Sequence, residues 1–98
     1  WTVILSDEEG LAEPCFSRVV FVRPVNNLHT IGNHQNRKIQ SISLEIADQN
    51  QRIQLADQIT KNGGDRCPGM GMMSLYSSPW DGMFAIDRLV RWIPLDVN

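Results

Sequence analysis

Apolar residues recur in this chain mostly at every second position and in short runs. WTVIL alternates and is rich in β-formers, with Trp1, Val3 and Leu5 on one side. FSRVVFVRP is a second such run, stopped by Pro24. KIQSISLEI predicts a third strand around Ile42, Leu44 and Ile46. RIQLADQI reads two ways: Ile53, Leu55 and Ile59 fit alternation, while Ala56 and two glutamines leave a short helix open. MMSLYSS predicts a fifth strand. RLVRWIPLDV predicts the last, with Pro94 pushing it toward an edge or an end. Between them, VNNLHTIGNHQN and TKNGGDRCPG carry loop and turn chemistry, and PWDGMFAID reads as a loop or one turn of helix. No segment offers three turns of clean helical spacing, so the pattern predicts an all-β sandwich or barrel.

Shifted by fifty residues, the chain lies over itself. Val3, Leu5 and Asp7 fall on Ile53, Leu55 and Asp57, and Gly32 falls on Gly82. Lys38, Ile39 and Ile42 fall on Arg88, Leu89 and Trp92, and the cysteines match with two extra residues in the second half. Two such units, about 1–47 and about 52–98, would share one core because neither buries its apolar face alone.

On these residues the chain resembles a βγ-crystallin domain of two Greek-key motifs. The first motif is carried by Trp1, Val3, Leu5, Asp7, Gly32, Asn36, Lys38, Ser41, Ile42 and Leu44. The second is carried by Ile53, Leu55, Asp57, Gly82, Arg88 and Trp92. Ser6 stands where that family usually has tyrosine, and its hairpin signature is reduced to Gly10-Leu11. The resemblance implies a Greek-key β-sandwich, and it raises calcium at Asn36–Ser41. There Arg37 and Lys38 oppose a cation, and Gln40 replaces a hydroxyl. No metal is therefore assigned. Asn36 and Ser41 are expected to hold the start of the strand by hydrogen bonds.

Composition narrows the picture. Ninety-eight residues with 42% hydrophobic content make one domain, and a net charge of -2 gives no footprint for nucleic acid or an anionic membrane. No apolar run approaches a bilayer span. Two cysteines, Cys15 and Cys67, suit one disulfide and an extracytoplasmic home; two free thiols are the other reading. A crosslink around a loop of about 50 residues would stabilise by roughly 4 kcal/mol. The chain opens on Trp1 rather than Met, which suits a trimmed product from which a signal has been removed.

Candidate chemistry is sparse. Cys67, Met70, Met72 and Met73 are soft ligands fit for Cu(I), but core filling explains the methionines more simply. His29 and His34 share an Asn-rich loop without a third ligand. No nucleophile elbow or phosphate loop is present, and no cofactor is indicated. Trp80, Met83 and Phe84 make an apolar loop, either tucked over the sandwich end or offered to a partner. The expected function is a non-enzymatic, extracytoplasmic protein-binding module. Its most concrete form is an inhibitor or immunity protein that blocks a secreted enzyme or toxin. The contact surface would draw on His29, His34, Met70, Met72, Tyr76, Trp80, Met83 and Phe84. A structural calcium-binding crystallin-like protein and a small secreted toxin or hydrolase are the alternatives.

Overall fold

A computed structural model describes residues 1–13 and 15–96. Two strands, β1 (Thr2–Leu5) and β2 (Val19–Val22), pair in parallel, in register from Thr2 with Val19 to Leu5 with Val22. The Thr2 N–H donates to the Arg18 carbonyl (2.7 Å) and the Ser6 N–H to the Val22 carbonyl (3.0 Å), extending the ladder at both ends. Alternation placed both strands within the predicted runs. It carried no information on pairing direction, and the hairpin that the crystallin resemblance implied is absent among the described residues, where the pair is parallel.

Helix α1 (Gln49–Lys61) carries the best-formed local structure. Asp48 caps its start, the carboxylate accepting from the Gln51 N–H at 2.8 Å. Its end is a Schellman turn: the Gly63 N–H donates to the Thr60 carbonyl and the Gly64 N–H to the Ile59 carbonyl, both at 3.0 Å. Gly63 stands at φ +101°, a conformation open to glycine and strained for residues with a Cβ. Leu55 and Ile59, four apart, face the same way and are buried with Leu44. Ile42, Ile46, Ala56 and Cys67 pack around these three.

The segments flanking α1 run side by side. The Arg66 N–H donates to the Gln40 carbonyl (3.1 Å), the Ile42 N–H to the Arg66 carbonyl (3.0 Å) and the Leu44 N–H to the Pro68 carbonyl (2.8 Å). Ser41 and Arg66 form a parallel bridge. Residues 40–68 therefore make two extended segments bridged in parallel at Ser41 and Arg66, with α1 as the connection between them. Pro68 has no N–H to return, so the ladder stops there.

A 3₁₀ helix, Leu28–His34, docks on α1. Gln58 donates to the His29 carbonyl (2.9 Å) and Asn62 to the Gly32 carbonyl (2.8 Å). A Cβ on Gly32 would meet the Gln58 side chain, so glycine is required by contact. A four-residue helix, α2 (Ile86–Leu89), follows late in the chain.

The all-β Greek-key sandwich is overturned. The register shift that superposed Leu5 on Leu55 aligns a strand with a helix, so the fifty-residue pattern is not a structural repeat. The fifth predicted strand is a set of turns, and α2 takes the start of the last, whose Val97 lies outside the described residues. Trp92, in the last predicted strand, is 82% exposed. The radius of gyration is 17.8 Å, against about 13 Å for a compact chain of this length. Parallel strands are normally covered on both faces, yet Val3, Leu5, Val20 and Val22 all remain exposed.

Candidate functional site

Arg66 organises the loop that follows α1 and its bridged flanking segments. Its guanidinium donates to the carbonyls of Met73 (2.8 Å), Met72 (3.3 Å) and Leu75. It also lies over the Trp80 ring, 4.4 Å from the centroid, and Trp80 stacks on Tyr76 at 5.2 Å. Trp80 and Met83 exchange backbone hydrogen bonds (2.9 and 3.0 Å) around Asp81 and Gly82, and Arg88 reaches the Met83 sulfur at 3.3 Å. Tyr76, Trp80 and Met83 are thus brought together. The cation beneath them was missed, because Arg66 lies ten residues before Tyr76. Met70, Met72 and Phe84 are exposed.

His29 and His34 sit elsewhere, on the 3₁₀ helix, and border two adjoining clefts. One is a pocket of about 410 Å³ edged by Asn26, Asn27, Leu28, His29, Gln51 and Gln54. The other is a groove of about 870 Å³ bounded by residues 7–12, the end of β2, the 3₁₀ helix, Ile39 and Ile42. Both clefts share Asn26, Asn27 and Leu28. The groove is mainly apolar. Arg23 on its wall is largely buried, donating to the Gly10 carbonyl (2.7 Å) and pairing with Glu8 at 3.0 Å. The Arg23 Nε–H is buried without an acceptor among the described residues.

Asn36 turns the chain into the extended segment before α1, its side-chain oxygen accepting from the Lys38 N–H at 2.9 Å. Ser41 contributes through its backbone bridge to Arg66. Among the described residues, no three His, Cys, Asp or Glu side chains converge as a metal site. Cys15 and Cys67 are free thiols, Cys15 exposed and Cys67 half-buried, so the predicted bridge is not formed. Burial pushes the Cys67 thiol pKa up, and the Arg52 charge offsets part of that rise. A nucleophilic thiol needs the opposite shift, so Cys67 is held protonated at neutral pH.

A short parallel strand pair and a helix, beside two adjoining clefts, give the chain mixed α/β content. The family model for acyl-CoA reductase (LuxC) matches residues 1–92, and the chain belongs to that family. Neither a search of curated proteins nor one of solved structures returns a match. Membership replaces the βγ-crystallin resemblance, whose residues had been matched by alternation and scattered glycines. It also overturns the non-enzymatic inhibitor or immunity protein, since the family is one of enzymes. The extracytoplasmic home is overturned with the family, and the disulfide that supported it is not formed. Among the described residues, no helix is long and apolar enough to cross a membrane.

Proposed function

We propose that this chain forms part of an acyl-CoA reductase and contributes on its substrate side. The match of the family model over residues 1–92 carries this reading. In such a reaction the acyl carbon gains a hydride and the carbon–sulfur bond breaks. The electron pair leaves with sulfur, which takes a proton, giving an aldehyde and free CoA. The hydride donor would be a reduced nicotinamide.

The described residues do not fit that donor. Gly69 and Gly71 have part of a dinucleotide-binding spacing, but turns follow them where a helix N-terminus is needed. The start of α1 is occupied by the Asp48 carboxylate, which repels a phosphate. Gly32 and Gly64 are hemmed in by Gln58 and Ile59, so these glycines serve packing. No hydride step is therefore assigned to this chain.

The test uses the native protein that carries this sequence, isolated with an antibody to the exposed 70–96 region. Supplied with palmitoyl-CoA and a reduced nicotinamide, it should release aldehyde and CoA thiol in equal amounts. Failure to form aldehyde from any acyl-CoA overturns the reading.

A further inference from the structure

Asn62 is the one asparagine of the chain followed by glycine. The pair closes α1. Gly63 has no Cβ to hinder approach to its nitrogen, and Asn62 lies exposed at the helix end, where water reaches it. The Asn62 side chain also holds the 3₁₀ helix. Its Nδ2 donates to the carbonyl of the buried Gly32 at 2.8 Å, beside the Gln58 bond to the His29 carbonyl at 2.9 Å. Among the described residues, Gln58 and Asn62 supply the side-chain hydrogen bonds that tie the 3₁₀ helix to α1.

We propose that Asn62 is a self-modification site whose deamidation releases the 3₁₀ helix from α1. The Gly63 nitrogen, having lost its proton, attacks Asn62 Cγ. The new N–C bond closes a succinimide ring as the Cγ–Nδ2 bond breaks, and Nδ2 takes up the proton and leaves as ammonia. Water then opens the ring at either carbonyl, giving aspartate or isoaspartate. The step uses only this chain and water, so it stands apart from the acyl-CoA reductase reading. The carboxylate that forms can only accept, so it repels the Gly32 carbonyl and leaves that acceptor unpaired. It also adds negative charge at the C-terminus of α1, where the helix dipole opposes it. Isoaspartate lengthens the backbone just ahead of Gly64, which Ile59 hems in. In the intact fold both reacting groups are tied, Nδ2 to Gly32 and the Gly63 N–H to the Thr60 carbonyl at 3.0 Å. Reaction therefore proceeds from the opened helix end. The docked 3₁₀ helix gates the reaction that undocks it, and it borders both clefts, which its release reshapes.

The experiment incubates the native protein that carries this sequence at mildly alkaline pH. Ion exchange follows the acidic form, and peptide mapping places the modification. Asn62 should convert ahead of every other asparagine of this chain, faster as pH rises and faster again in urea. Gln58→Ala removes the neighbouring bond to His29 and should speed conversion about fivefold, the weight of one side-chain hydrogen bond. The collected acidic form should show hydrogen exchange across Leu28–His34 raised at least about fivefold, and Asn62→Asp should reproduce that rise. Asn50→Asp adds the same charge at the other end of α1 and should leave this exchange unchanged. The acidic form is made from the unmutated protein, so its exchange is read whether or not Asn62→Asp folds. Conversion of another asparagine first, a rate indifferent to Gln58→Ala, or unchanged exchange in the acidic form overturns the proposal.

Discussion

Replacing Leu55 and, separately, Ile53 by alanine decides how the 49–61 segment is built. On a strand, Ile53, Leu55 and Ile59 would share one face, and the two substitutions would cost alike. On α1 they do not: Leu55 stacks with Ile59 against Leu44, whereas Ile53 points away. Leu55 is 1% exposed and Ile53 is 56% exposed. Truncating Leu55 removes about three carbons at about 0.8 kcal/mol each, and the cavity left among Leu44, Ile59 and Ala56 adds to that. The expected loss is about 3 kcal/mol, a large part of the total stability of a small domain. Truncating Ile53 should change stability by no more than about 0.5 kcal/mol, since alanine is the better helix former. Urea unfolding followed by far-ultraviolet circular dichroism measures both. Equal losses, or a larger loss at Ile53, would refute the helix and the packing built on it.

Two further outcomes follow from the site. Arg66→Met keeps the stem but removes the donors to three carbonyls and the cation under Trp80. Chymotrypsin should then cut at Tyr76 about tenfold faster, a local loss of about 1.4 kcal/mol, with the α1 helical signal unchanged. The Cys67 pKa is raised in the fold above its ordinary 9.0. The protonated thiol is thus favoured in the native state. Its contribution to stability is fully present below pH 9.0 and is lost as pH rises through the folded value. Alkylation of Cys67 should accelerate only above the ordinary thiol range, and Arg52→Gln should push that onset higher. An onset at neutral pH would sink this account of the thiol.

Much of the local structure was legible. WTVIL and VVFV are strands, and NGG is a turn, here the close of α1. The signal that was passed over is the capping pattern at Asp48 and Gln51, followed by Leu55 and Ile59 at a spacing of four. It was outweighed by an alternation that Ile53 completes by coincidence. The crystallin likeness grew from the same ambiguity, because a period of two and a period of 3.6 agree over four or five residues. His29 and His34 lie together on the 3₁₀ helix. They border clefts whose walls come from residues 7–12, 21–31, 39–46 and 51–55, a grouping that no local motif encodes.

By itself the sequence determined where chain direction changes and which residues prefer extended backbone. Those preferences are set by steric and hydrogen-bonding relations between near neighbours. Only the tertiary structure decided that β1 and β2 run parallel and that residues 40–44 pair with 65–68 across a helix. It also placed Arg66 under Trp80 and left the Arg23 Nε–H buried beside an apolar groove. Each of these depends on backbone groups or side chains distant in sequence meeting at van der Waals or hydrogen-bond range. Alternation records which face of a strand is apolar, but not what lies against it.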